Sequence, residues 1–299
     1  MTKAQKPNGR TRTSSKRHSE LTDDEKRKFG APHIGVLFAS FNSQLNEIWE
    51  DFKSLDYYLL EIHKLTKADS IERVVVPRLV SKPRMEKLSA SAVYGIIDRI
   101  RGKAAGRHAF IDAIAAFEHF ISMLVFKVYL DFPRKLRGVS RAVENETGSR
   151  QQKLLDIIFD SADRYEMIHK LIEEKVRGIF YGNPVDLFSK DKALIEFGSH
   201  FKEHKSLLLT ELAEIIARRN VIMHNEGRID RKYLNEVASH TLKLGQKVSI
   251  DEMYLRRALL VMKDLAADAA QLVATNIYKE ALFGRAKRVQ DAAKKGPLK

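Results

Sequence analysis

Between Ile34 and Ile62 apolar residues return at steps of three and four: Ile34, Leu37, Phe41, Leu45, Ile48, Phe52, Leu55, Leu59 and Ile62. That spacing puts them on one stripe of a long helix, which at 1.5 Å per residue would reach about 45 Å. The pattern then changes. In "DSIERVVVPRLVSKPR" the run Val74–Val76 is β-prone and Pro77 and Pro83 interrupt it, so the stretch reads as a connector with room for a short strand. A short helix is expected from about Ser89 to Arg101, followed by "GKAAG" as a hinge. An apolar helix then runs from about Arg107 to Asp131, where Pro133 stops it.

"GVSRAVENETGSR" is expected to be a loop or a short turn. Leu154, Ile157, Ile158, Tyr165, Ile168, Ile172, Val176 and Ile179 mark one or two helices up to "YGNP". Ser199 is placed to cap a helix from His200 to about Asn225, and Gly227 supplies its stop. Ser249 to Glu252 has the form of a capping box for a last helix from about Asp251 to Leu282. There is no internal repeat and no run of strands, so the fold class expected is all-α, a helical bundle. One helical domain is expected over 33–282, between a basic disordered tail at 1–32 and a basic tail at 283–299.

Charge sharpens that division. The 299 residues carry a net charge of +14, but the first 28 hold nine Lys/Arg against four acids, and the last 21 hold seven against two. The tails thus supply about +10 of the +14, and such ends bind polyanions weakly and in a salt-dependent way. The absence of cysteine excludes disulfides, thiolate nucleophiles and Cys-based zinc sites, and suits a reducing cytoplasm. The polar N-terminal stretch has no apolar core of the kind a secretory signal needs. The most apolar segment, "FIDAIAAFEHFISMLVFKVYL", is interrupted by Asp112, Glu118, His119 and Lys127, which predicts a buried helix rather than a membrane span. A soluble cytoplasmic protein without a membrane partner is the expectation.

The chemistry concentrates in "IIARRNVIMHNEGRID" (Ile215 to Asp230). With Leu208 as zero and about 100° per residue, Leu212, Ile215 and Ile222 fall on one stripe and Arg219 falls at about 20°, near its centre. Asn220 and His224, four apart, flank it. A guanidinium there cannot shed its charge, so it must be paired, hydrated in a cleft or placed at an interface. The apolar helix has a matching anomaly: Ile111, Ile114, Ile121, Val125 and Val128 step by three and four, and Glu118 completes the series. A structural Glu118–Arg219 pair accounts for both, and such a pair alone argues weakly for stability or function. Arg, Asn and His together also suit phosphodiester chemistry on RNA, where the 2′-OH attacks, a histidine moves protons and an arginine stabilises charge on phosphorus.

"RNVIMH" (Arg219 to His224) fits the R-x4–6-H motif of the HEPN superfamily, with the polar residue after the arginine present as Asn220. "ARRNVIMHNEGRIDRKYL" resembles the motif helix and exit of its RNase-type members. "AFIDAIAAFEHFISMLVFKVYLDFPRKL" resembles the helix that packs against it. The likeness covers roughly Arg107 to Leu282 and says little about residues 34–105. It implies a helical bundle, metal-independent endoribonuclease activity without cofactors, and an active site formed where two motif helices meet across a homodimer. Carried over, Arg219 and His224 would be catalytic, Asn220 would orient the site or contact phosphate, and Glu118 would be a supporting acid. The use expected is as a toxin or anti-phage effector restrained by a neutralising or sensing partner. Family members that keep the fold as binding modules give the alternative, a helical module for nucleic acid or protein.

Two rival signals are present. "HFKEH" (His200 to His204) matches a zinc-peptidase pattern, but a third ligand is required and no distal glutamate stands out. Trp49, Phe52, Tyr57 and Tyr58 could stack on bases, although at helical spacing packing is the simpler use.

Overall fold

The computed structural model describes residues 21–67, 75–78, 84–87, 89–136, 157, 160–180, 185–237, 242–282 and 284–294. The predicted loop at 138–150, Leu154, Ile158, "YGNP" at 181–184, residues 1–20 of the N-terminal basic tail and 295–299 of the C-terminal one lie outside them.

The protein is predominantly helical. Its first helix, α1 (Asp23–Lys67), begins ten residues ahead of the expected boundary, inside what composition marks as a disordered tail. The reason is local: Thr22 and Glu25 close a capping box, Thr22 Oγ1 accepting from the Glu25 N–H at 3.2 Å and Glu25 Oε2 accepting from the Thr22 N–H at 2.8 Å. Asp23, Asp24 and Glu25 also set negative charge at the positive end of the helix. The early part is then anchored by burial of Ala31 and Ile34. A Cβ at Gly30 would lie 1.8 Å from the Tyr278 ring, so only glycine permits this approach.

After α1 come the antiparallel strands β1 (Val75–Arg78) and β2 (Arg84–Lys87), pairing Val75 with Lys87 and Arg78 with Arg84. Helix α2 (Ala90–Arg99), capped by Ser89 Oγ, runs on into α3 (Ala105–Asp131) through a π-helical turn at Ile100–Ala104. The expected hinge at "GKAAG" is therefore continuous helix, with wide i→i+5 hydrogen bonding in place of a break. Gly106 lets α3 pass the Ile250 carbonyl, which would be 2.5 Å from an added Cβ. The stretch Ala90–Asp131 is long and apolar enough to cross a membrane by length and composition, yet more than half of its most apolar window is buried inside the fold.

The further helices among the described residues are α4 (Arg164–Phe180), α5 (Val185–Ser189), α6 (His200–His204), α7 (Ser206–His224), α8 (Arg231–Glu236), α9 (Glu252–Asn276) and α10 (Gly284–Lys294). The one long helix expected from His200 breaks at Lys205, and Ser199 makes no capping bond. For α9 the cap is Asp251, which accepts the Tyr254 N–H at 2.7 Å, rather than Ser249. Helix α9 ends at Asn276, short of Leu282. Over 284–294 the C-terminal basic segment is helical: Gly284, at φ +60°, turns the chain into α10, whose Ala286 is buried and comes against Gly35 of α1. One hydrophobic cluster extends from Ala31 to Ala286, with α3 and α9 at its centre. A smaller one joins Ala217 and Val221 of α7 to Ile229, Tyr233 and Val237.

Candidate functional site

Helices α3 and α7 bring the two charged stripe positions together. Arg219 sits between the buried Ile215 and Ile222, and Glu118 between the buried Ile114 and Ile121. Arg219 Nη2 donates directly to Glu118 Oε1. The pair is not sealed, because its side chains keep 27% and 33% of their exposure. Both residues line an open groove of about 600 Å³, shared with Ser122, Met123 and Phe126 of α3 and Glu173, Val176 and Arg177 of α4. Its lining is partly apolar and sets two arginines, Arg177 and Arg219, against two glutamates, Glu118 and Glu173.

The other motif residues stand elsewhere on the helix. Asn220 is half-buried and His224 is exposed in the last turn of α7. Neither side chain forms a hydrogen bond with the Glu118–Arg219 pair, and neither lines its groove. Five residues of helix rotate His224 by about 140° from Arg219. The chain thus brings Glu118 and Arg219 together but does not bring His224 to them. Beyond His224 the helix ends with Asn225 and Gly227, whose N–H groups donate to the Val221 carbonyl at 2.9 and 2.8 Å. Gly227 has φ +76°, as a glycine stop requires.

Two further groups escaped the sequence reading. Arg107, at the start of α3, donates Nη2 to the Ile222 carbonyl at 3.2 Å, which sets an exposed cation beside the end of α7. Glu214, one turn before Arg218, collects three donors: Arg218 Nε at 2.7 Å, the Tyr233 hydroxyl at 2.7 Å and the Tyr254 hydroxyl. Arg218 also reaches the Ser249 carbonyl at 2.9 Å, and its guanidinium lies 3.8 Å from the centre of the Tyr254 ring. Burial opposes the Arg218 charge, but Tyr254 and Glu214 outweigh it and hold its pKa above the ordinary value. Burial, aided by Glu214, pushes both tyrosine hydroxyls well above the ordinary phenol range. This network is satisfied internally and fixes α7 against α8 and α9. The i,i+4 spacing of Glu214 and Arg218 was visible in the chain, whereas the tyrosines come from other elements.

The rival motif resolves differently. His200 Nε2 lies 2.9 Å from Asp268 Oδ2, and Lys205 Nζ lies 2.7 Å from Asp264. His204 stands 4.0 Å from Glu203 at the surface. Among the described residues no group of three or more His, Cys, Asp or Glu could hold a metal ion. Of the aromatic set, Phe52 is buried while Tyr57 and Tyr58 are exposed, with their rings 5.5 Å apart.

No family model, curated protein or solved structure matches the chain. The assignment of chemistry therefore rests on the residues themselves and on the motif resemblance.

Proposed function

We propose that the protein is a metal-independent endoribonuclease of HEPN type that works as a homodimer in the cytoplasm, used as a toxin or anti-phage effector under the control of a partner protein. The observation that carries this reading is the half-open Glu118–Arg219 pair lining an open groove, with Arg219 on the same helix as a solvent-exposed His224 that enters no ion pair among the described residues. In the proposed reaction the ribose 2′-OH attacks the adjacent phosphorus as His224 accepts its proton. The P–O2′ bond forms, the P–O5′ bond breaks, and a proton goes to the departing 5′ oxygen, leaving a 2′,3′-cyclic phosphate. Arg219 stabilises the additional negative charge on phosphorus, Glu118 holds the guanidinium, and Asn220 contacts phosphate.

Because one chain's His224 does not share the groove of its Arg219, the reading requires a second copy to supply it. The test follows from that requirement. Purified protein in EDTA should cleave RNA to 2′,3′-cyclic phosphate ends, and Arg219→Ala and His224→Ala should each be inactive. Mixing the two variants should restore part of the activity, since one composite site would then hold both native residues. Inactive mixtures of correctly folded variants would remove the composite site.

The directness of the Glu118–Arg219 contact favours a second reading, a helical module in which that pair is structural and nucleic acid or a protein is bound without cleavage. Intact RNA at every condition would select it.

A further inference from the structure

Past His224 the chain turns through Glu226 and Gly227 and pairs with the segment that leads into α9. The Val248 N–H donates to the Gly227 carbonyl at 2.8 Å, and the Ile229 N–H donates to the Gln246 carbonyl at 2.9 Å. These two bonds straddle an antiparallel bridge between Arg228 and Lys247. Bonds so placed make Arg228 and Lys247 a non-hydrogen-bonded pair, the type in which α-carbons approach to about 4.5 Å and side chains are closest on one face. Gly227 and Ile229 on either side are buried, so the shared face of Arg228 and Lys247 is the solvent face, and both are exposed.

Like charges directly opposite one another destabilise a strand pair, and a carboxylate would ordinarily stand in one of these positions. None relieves them: among the described residues neither Arg228 nor Lys247 enters an ion pair. Asp230 and Asp251 are occupied as helix caps on the Tyr233 and Tyr254 N–H groups. Asn225 Nδ2 donates to the Arg228 carbonyl at 2.7 Å, which ties this pair to the turn that follows His224. Arg107 approaches the same helix end from α3, with Lys103 and His108 exposed beside it in sequence.

We propose that Arg228 and Lys247, together with Arg107, form a phosphate-binding platform for the RNA backbone that flanks the linkage at His224. The repulsion within the pair is what an absent polyanion would relieve. Open placement on the surface, with no enclosing pocket, suits a backbone that passes across it rather than a free phosphate. The inference rests on the ribonuclease reading for the position of the scissile linkage, but binding itself can be measured without cleavage.

The experiment uses the full chain and an uncleavable 2′-O-methyl RNA labelled for fluorescence anisotropy, titrated between about 50 and 200 mM salt. Arg228→Ala and Lys247→Ala should each weaken binding and lower the slope of log affinity against log salt by about 1. Lys247→Glu is the sharper variant. It turns the repulsive pair into an attractive one, so the melting temperature should rise while RNA affinity falls at least as far as in Lys247→Ala. Lys190→Ala, which removes a cation that already faces Asp186, should leave the slope unchanged. A Lys247→Glu protein that is more stable yet binds RNA with native affinity and slope overturns the platform, even if native protein cleaves RNA. Capture by anionic lipid vesicles without RNA binding overturns it as well. Native protein that binds the uncleavable RNA with this salt dependence but leaves ordinary RNA intact supports the platform and rejects the catalytic reading.

Discussion

Two of the three carboxylates on helix α3, Asp131 and Glu118, meet opposite fates. Asp131 has no side-chain exposure; Lys127 Nζ lies 2.7 Å from one oxygen and the Tyr278 hydroxyl donates to the other at 2.7 Å. Tyr278 in turn fills the space left by Gly30, so this one carboxylate holds α3 to both α1 and the end of α9. Burial, with Asp131 beside it, pushes the Tyr278 hydroxyl far above the usual phenol range. Glu118 holds a single cation and faces an open groove. A buried charge must have its bonding capacity met at once or cost several kcal/mol, so Asp131 is committed to the fold. A carboxylate that water can reach is under no such demand, and its arginine can exchange partners when a phosphate arrives. Solvent access, rather than the presence of a pair, separates the structural site from the candidate one.

The largest expected effect breaks the candidate side of this contrast. Loss of the proton-transfer group in His224→Ala should lower RNA cleavage by roughly 10²- to 10⁴-fold, the usual range for general acid–base catalysis, with an unchanged melting curve. Cleavage within a few-fold of native would show that another group moves the proton. Next in size is Asp131→Ala. It strands the Lys127 ammonium and the Tyr278 hydroxyl inside the protein, and should cost about 3–5 kcal/mol in urea unfolding. A loss below about 1 kcal/mol, the range of an exposed pair, would mean that the hub is not a stability centre.

The two sites were unequally legible in the chain. Glu118 and Arg219 announced themselves because each interrupts a three-and-four apolar series, and their contact follows once α3 packs on α7. The openness of that contact was not readable, since it depends on α4 lying alongside to frame a groove. Asp131 stood out less, as its partners Tyr278 and Gly30 are remote in sequence. The ends misled for a different reason. Composition marked residues 23–32 and 284–294 as tails, while the capping box at Thr22–Glu25 and the packing of Ala286 on Gly35 form helices there. Likewise "GKAAG" has the residues of a hinge, but the passage of Gly106 under the Ile250 carbonyl accompanies a helix that continues through it. The bridge of Arg228 with Lys247 needs the register of two loops, which no periodicity encodes.

A smaller effect distinguishes the two readings of the ion pair. With 27% and 33% of their side chains exposed, Arg219 and Glu118 resemble surface partners, which contribute about 0–1 kcal/mol. Arg219→Ala should therefore shift the unfolding midpoint only slightly while abolishing cleavage. A stability loss approaching that of Asp131→Ala would move Glu118–Arg219 into the structural class and favour the binding module.

The smallest effect tests the hub through pH. His33 lies on α1 near Lys127 and Asp131, and its pKa is lowered, first by burial and then by the Lys127 charge, with Asp131 opposing both. A histidine whose folded-state pKa falls below its unfolded value favours the neutral ring in the native state. Its contribution to stability is complete above the ordinary value of about 6.5 and is lost as pH falls through the lower folded value. The native chain should thus lose more stability than His33→Gln between about pH 7 and pH 5, read as the difference between their urea midpoints. His33 stands at the solvent edge of the hub, so the difference should be modest, but its sign is fixed by Lys127 and by burial together. Parallel pH profiles would mean that neither reaches the ring. A steeper acid loss in the variant would mean that Asp131 governs His33 more strongly than Lys127 does.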